Sequence, residues 1–337
     1  MPAKSINNYL YSPYFLSFIM ALVVIVLLPP MFSRYRVEVA GEGRARYVDE
    51  QEAFADIDGD GNSDRIASFT APQGFHCIQV FDHEGGVIDQ WNFNGIVPGS
   101  KDRMLAGDYD GDGEQEVFAF CQDNDTLYLY GFHPREQEGF FIDHQFITPL
   151  ARVDGKLEYV IPDISLADLD DDGFKDLVFL VAAGFSIAPR KIFCYNIRSG
   201  TLTSSPASAS VIGKLTIVDL DADGHPEIFG QNGSGGNVPD SLGLPFTDYS
   251  AWLMVFNHTL DYAFPPVEFP GFHSQVSTLP FYSGDNAGIL ALYNHSGSRE
   301  NIPELRVHDH LGKLLYQRTF PRSPKYQALL VHCLLYT

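Results

Sequence analysis

Cysteine, tryptophan and positive charge are all scarce in this chain. Its 337 residues hold four cysteines, two tryptophans, and 22 lysines and arginines against 43 aspartates and glutamates. Cys77, Cys121, Cys194 and Cys333 show no C-x-x-C or zinc spacing, which excludes the common zinc modules and leaves single buried thiols on strands as the expectation. A formal charge of -21 offers no basic face to neutralise phosphates, which excludes nucleic acid as a partner. Beyond residue 33 no apolar pattern of 3.6-residue period runs for helix length, so a helical domain is excluded as well. What is abundant is phenylalanine and tyrosine, 26 and 17, as a strand-rich core requires.

One acidic phrase occurs four times: D-I-D-G-D-G-N-S-D from Asp56, D-Y-D-G-D-G-E-Q-E from Asp108, D-L-D-D-D-G-F-K-D from Asp168 and D-L-D-A-D-G-H-P-E from Asp219. Carboxylates stand at positions 1, 3, 5 and 9, with glycine at position 6. Alternate residues of a tight turn point inward, hard carboxylate oxygens suit Ca²⁺, and glycine permits the sharp bend. The first aspartates lie at 56, 108, 168 and 219, so the intervals are 52, 60 and 51 residues. A period of this length marks a repeat architecture. Apolar residues precede each phrase and strand-like runs follow it, as in Val117–Phe120 and Leu177–Leu180. Each loop is therefore expected to join two strands. With no bidentate Glu at position 12 and no flanking helical period, an EF-hand is excluded.

A second signature follows each loop. Val80–Gly86, Val255–Asp261 and Val307–Lys313 read as strand, turn, strand, with looser copies at Leu127–Gly131 and Ile192–Asn196. A fifth unit aligns at Pro280–Gly288, where positions 1, 3, 5 and 9 are Pro, Tyr, Gly and Gly. The expectation is a fifth blade without a metal site. Units of about 50 residues fit the blades of a β-propeller.

These D-x-D-x-D-G-x-x-[DE] loops between strands resemble the FG-GAP repeats, the integrin α-chain-like or VCBS-type calcium repeats, over about residues 47 to 320. The resemblance implies an all-β propeller carrying calcium in β-loop-β hairpins. The side-chain ligands it implies are Asp56, Asp58, Asp60 and Asp64; Asp108, Asp110, Asp112 and Glu116; Asp168, Asp170, Asp172 and Asp176; and Asp219, Asp221, Asp223 and Glu227. Asn62, Glu114, Phe174 and His225, at position 7, would contribute backbone carbonyls. Such propellers commonly close with seven blades, and five are visible here. Either five blades close with Ala328–Tyr336 completing the first sheet, or the chain is the front of a longer protein.

The N-terminus carries the other signal. No charged residue occurs from Ser5 to Ser33, and residues 14–32 are nearly all apolar, close to the ~20 needed to cross a bilayer. The expected domains are a signal anchor over 1–33 and the propeller over 34–337. No small-x-small site follows the apolar run, which favours an uncleaved anchor. Lys4 before it and Arg34 and Arg36 after it would hold the propeller in the cytoplasm by the charge rule. Calcium loops of the weak extracellular type need ~0.1–1 mM Ca²⁺. The expectation is therefore a single-pass protein with its propeller outside the cytoplasm.

Other constellations lose their force on inspection. His308-Asp309-His310 aligns with the repeat-derived turns, so it is read as a turn. Trp91 and Trp252 are placed in strand cores. Gly230–Asn237 is glycine-rich but has no lysine and opens no helix, so it is a loop and no phosphate cradle. Together with Gly184–Arg190, the polar stretch Gly230–Thr247 is where partner contacts are expected. No catalytic residues are expected. Three roles follow: an anchored recognition or adhesion module for a protein or glycan, the sensor ectodomain of a longer signalling protein, and, as the weakest, a propeller enzyme acting on polysaccharide.

Overall fold

Valine, isoleucine, leucine and aromatic residues fill the runs that flank each acidic loop, and these runs pair as antiparallel strands. The computed structural model describes residues 50–96, 104–134, 139–183, 189–283, 286–295 and 303–320, with Ser17 and Met20 before them. Apart from Ser17 and Met20, the apolar segment 14–32 lies outside the described residues, as does the closing run Ala328–Tyr336. Among the described residues, no helix is long and apolar enough to cross a membrane. All the strands belong to the unit Tyr47–Thr337.

The first sheet is the meander β1 (Gln51–Ala55), β2 (Asp64–Thr70), β3 (His76–Phe81) and β4 (Val87–Phe93). The second repeats it with β5 (Met104–Gly107), β6 (Glu116–Asp123), β7 (Thr126–Phe132) and β8 (Phe140–Pro149). A small hairpin, β9 (Arg152–Val153) and β10 (Lys156–Leu157), leads to the third sheet. There β11 (Tyr159–Val160) and β12 (Ile164–Ala167) share one edge of β13 (Asp176–Ala183), followed by β14 (Arg190–Asn196) and β15 (Thr201–Ser204). The fourth sheet uses β16 (Thr216–Val218) and β17 (Glu227–Phe229). The short β18 (Asn232–Gly233) then leaves it, and β19 (Ala251–Leu253), β20 (Val255–Phe256) and β21 (Val267–Phe269) return, with β17 pairing β20 and β19 pairing β21. The fifth is β22 (Ser274–Ser283), β23 (Asn286–His295), β24 (Glu304–Asp309) and β25 (Leu314–Thr319), with β18 added beyond β22.

The core lies between consecutive sheets. Ile66, Ile78, Trp91 and Phe93 of the first meet Val117, Ala119 and Phe132 of the second. The other face of the second sheet, Phe118, Phe120, Leu127 and Leu129, packs on Leu177, Phe179 and Val181 of the third. Val178, Leu180 and Ile192 then meet Ile228, Met254 and Phe256, and Phe229, Leu253 and Phe269 meet Val276, Ile289 and Ala291. Burial on both faces explains why Val117–Cys121 and Leu177–Val181 read as unbroken apolar runs rather than alternating ones. Each fully buried Phe contributes about 1.5–3 kcal/mol of transfer free energy. The first strands also neighbour one another, β5 lying beside both β1 and β12.

The fifth unit departs from the others where its sequence does. In place of a nine-residue acidic loop, β22 turns directly into β23, with Ser283 paired to Asn286. The sheet persists, but the alignment of Pro280–Gly288 with the loops does not hold: Pro280–Ser283 belong to β22 and Asn286–Gly288 to β23.

Candidate metal centres

Each acidic loop links the first strand of its sheet to the second, and its ninth residue already belongs to the second strand. Ala55 pairs with Asp64, Gly107 with Glu116, Ala167 with Asp176 and Val218 with Glu227. Three hydrogen bonds recur in every loop. The position-2 amide donates to the position-9 carboxylate: Ile57 to Asp64 at 2.9 Å, Tyr109 to Glu116 at 3.2 Å, Leu169 to Asp176 at 3.2 Å and Leu220 to Glu227 at 2.8 Å. The position-6 glycine amides, Gly61, Gly113, Gly173 and Gly224, donate to the first aspartate of each loop at 2.9–3.2 Å. Position 7 donates to position 5, as in Asn62 to Asp60 and Glu114 to Asp112, both at 2.7 Å. Phe174 and His225 do the same to Asp172 and Asp223, at 2.9 and 2.8 Å.

This frame turns the carboxylates toward one another. Four groups offer oxygens that all lie within 4.8 Å: Asp56, Asp58 and Asp64; Asp108, Asp110 and Asp112; Asp168, Asp170 and Asp172; and Asp219, Asp221 and Glu227. Of the expected side-chain ligands, Asp60, Glu116, Asp176 and Asp223 fall outside these groups. Each of them accepts from a backbone amide of its own loop, as grouped carboxylates such as Asp64 and Glu227 also do.

In the first loop, Asp56 Oδ1 and Asp64 Oδ1 are buried with no hydrogen-bond partner. A buried unsatisfied acceptor costs about 1–3 kcal/mol, and more when charged, so this pair needs an explanation. A bound cation would satisfy both oxygens, and the all-oxygen donor set suits a hard ion such as Ca²⁺ or Mg²⁺ rather than zinc. The residues present fit such an ion.

Electrostatics point the same way. Burial pushes Glu116 up to about 7 and Asp176 up to about 6, with the neighbouring loop carboxylates adding to the effect. Asp64 and Glu227 are raised for the same first reason. Without a counter-charge, the ninth residue of each loop resists ionisation.

Two features of the loops escaped the sequence reading. Position 4 is left-handed in all four: Gly59 at φ 70, Gly111 at 80, Asp171 at 58 and Ala222 at 59. Only two of these residues are glycine, so composition gave no signal. The turn between third and fourth strands also leans on the loop. His83 Nδ1 sits 3.2 Å from Asp60, and His133 Nδ1 sits 3.4 Å from Glu116. Asn196 donates to Asp170 at 3.0 Å, Arg198 reaches Asp172 at 3.3 Å and covers the Phe174 ring, and His258 stacks on His225.

The turn motifs fall as expected, whereas Trp252, expected in a strand core, is only half-buried. Asp309 closes its turn by accepting from Leu311 and Lys313, as Asp82 does from Glu84 and Gly86 and Asn257 from Thr259 and Asp261. Cys77, Cys121 and Cys194 are buried, unbridged and on strands, and Cys333 lies outside the described residues. Trp91 is in the core, while Trp252 is half-buried and donates to the Thr247 carbonyl at 2.8 Å.

The polar stretch after Gly230 is less loose than its composition suggests. Asn232 is buried and bonds Ser210, the Val211 carbonyl and the Trp252 amide. Farther on, Asp248 accepts from Asn237 and Val238 and pairs with Arg190 at 2.9 Å, both side chains buried. Of the other expected contact stretch, Gly184–Arg190, residues 184–188 lie outside the described residues.

No protein-family model and no curated protein matches the chain. Solved structures give distant likenesses. One is AofleA from Arthrobotrys oligospora, 12% identical with a TM-score of 0.34, covering 78% of this chain and 70% of that one. A eukaryotic initiation factor is 12% identical at a TM-score of 0.32, over 76% of this chain and 62% of its own. A GH43 β-1,3-galactosidase is 9% identical at 0.28, over 81% and 94%. At such scores none of these likenesses carries a functional argument.

Proposed function

We propose that this chain is a calcium-stabilised β-propeller of the FG-GAP type that recognises a protein or glycan partner without turning it over. In this reading it is held at a membrane by residues 14–32, with the propeller outside the cytoplasm. The observation that carries the calcium is the repeated loop frame, with its converging carboxylates and the unpartnered oxygens of Asp56 and Asp64. The propeller is supported by cores shared between consecutive sheets and by first strands that neighbour one another.

Asp56, Asp58 and Asp64, and their counterparts in the other loops, would hold the ions, with the carbonyls of Asn62, Glu114, Phe174 and His225 completing each shell. The ion supplies positive charge to a turn that otherwise gathers four like charges. The protein's own part is to hold that turn in shape through the amides of positions 2, 6 and 7. Recognition then falls to the irregular segments between strands, which a rigid scaffold positions.

Calcium titration of the full chain, by calorimetry and thermal melting, tests this reading. Binding near four ions per chain, with a melting temperature that rises with calcium, is expected. Identical melts in calcium and in chelator would remove it.

A further inference from the structure

Three strands place an unusual row of side chains beside one another. In the register of β18, β22 and β23, Gly233 stands opposite Gln275 and Gln275 opposite Asn294. Residues opposite one another in antiparallel strands share a face. Gly233 contributes no side chain to that face, and its place is open: a Cβ there would meet only the Ser274 carbonyl, at 3.7 Å. The gap is part of a cavity of about 260 Å³ lined by Gln231, Gly233, His273, Gln275 and Asn294, among others.

The described lining is neutral. In a chain of formal charge -21, no aspartate, glutamate, lysine or arginine is among the described residues that line this cavity. The amides of Gln231, Gln275 and Asn294 each present a donor pair and an acceptor. None of the three makes a side-chain hydrogen bond to another described residue. Beside them, the His273 ring lies against Phe272, tilted by 43° with centroids 3.9 Å apart, and Phe272 packs on Tyr249 at 5.7 Å. Both aromatics are exposed, at 42% and 45%. Small-ligand sites combine aromatic or apolar surface with a few placed polar groups; here the polar groups line the cavity and the two exposed rings adjoin it through His273.

We propose that this cavity is a binding site for a neutral sugar, a single hexose ring or the terminal residue of a glycan. Amide side chains pair with vicinal hydroxyls through parallel donor and acceptor bonds, while an aromatic face covers the apolar C–H side of a pyranose. The absence of charge among the described lining residues disfavours sialic and uronic acids. A volume just below the roughly 300 Å³ at which drug-sized pockets begin suits one ring. The proposal rests on the recognition reading above and gives it a ligand class.

The test is saturation-transfer NMR on the calcium-loaded full chain with free galactose, glucose, mannose, fucose and N-acetylglucosamine. Isothermal titration with whichever sugar responds gives the affinity. At least one neutral sugar is expected to bind, and Gly233→Leu, which fills the gap from a backbone that tolerates a side chain, is expected to weaken it at least tenfold. Asn294→Ala is expected to weaken it similarly and serves if Gly233→Leu misfolds. No response from any of these sugars would overturn the proposal. So would binding that both variants leave unchanged, which would place the sugar elsewhere. Either failure leaves the calcium-dependent melt untouched, whereas failure of the propeller reading is read from that melt alone.

Discussion

Lys175 Nζ donates to the backbone carbonyl of Asp108 at 2.8 Å, and the Lys175 amide donates to the carbonyl of Tyr109 at 2.7 Å. The eighth residue of the third loop is thus fastened to the opening of the second, so two candidate ion sites share one backbone support. Lys175→Met is expected to cost about 0.5–1.5 kcal/mol, the net worth of a hydrogen bond. It should also weaken calcium binding at the second loop as well as the third. Titration calorimetry of the variant checks this, and an effect confined to the third loop would argue against the coupling.

Asp221 belongs to the converging group of the fourth loop. Asp221→Asn is expected to lower the melting temperature in millimolar calcium by several degrees and to leave it equal or slightly higher in chelator, because one of several like charges is gone. A ligand at 100 times its Kd stabilises by about 2.7 kcal/mol, which sets the size of the loss if that site empties. Equal losses in both buffers would mean that the side chain matters only for packing.

The raised carboxyls give the calcium-free protein a distinctive pH response. Glu116 titrates near 7 in the folded chain against an ordinary value of 4.5, and Asp176 near 6 against 3.8. Between those values the folded state binds more protons than the unfolded one, so stability falls as pH rises. Their contribution is fully present below about pH 4 and lost by about pH 7. Calcium-stripped protein should therefore melt lower at pH 8 than at pH 5, with calcium flattening the difference. A calcium-free melt that rises over this interval would contradict the burial of these groups.

Ala222 holds a left-handed conformation at φ 59, where three other loops have glycine or aspartate. That conformation costs an ordinary residue roughly 1–2 kcal/mol. Ala222→Gly should stabilise the protein by about 1 kcal/mol, while Gly224→Ala, at φ 92, should destabilise it by at least as much. Chemical denaturation of the two variants, both compared in saturating calcium, gives the signs directly.

The Arg190–Asp248 pair ties the polar stretch after Gly230 to the third sheet. Removing one partner of a buried pair leaves a bare charge, and Arg190→Met is expected to cost about 3–5 kcal/mol. Proteolysis should then cut within residues 233–247, a stretch expected to resist cleavage in the parent protein.

The acidic loops were legible in the sequence because positions 1, 3, 5, 6 and 9 are each set by the chemistry of one residue type. The same applies to the turns at Asp82, Asn257 and Asp309, whose side chains bond amides two and four residues ahead. What escaped notice depends on groups far apart in the chain. Asn232 reads as part of a flexible polar run, yet its partners are Ser210 and Trp252, 22 and 20 residues away. The supports His83 and Arg198 lie in a different turn from the loops they meet, so no local spacing reveals them. Position 4 hid for a different reason: its constraint is on the backbone, and Asp171 and Ala222 satisfy it without glycine.

Because the four large hydrophobic clusters are each made jointly by two successive sheets, the second, third and fourth sheets cannot be completed one at a time. A newly made sheet presents one finished face and one raw face until its successor arrives. Folding on the ribosome would then advance like a zipper, with the growing end always sticky. The period most exposed to misassociation runs from the emergence of Phe118 and Phe120 to the arrival of Leu177 and Phe179, the interval in which those two rings have no cover from the third sheet.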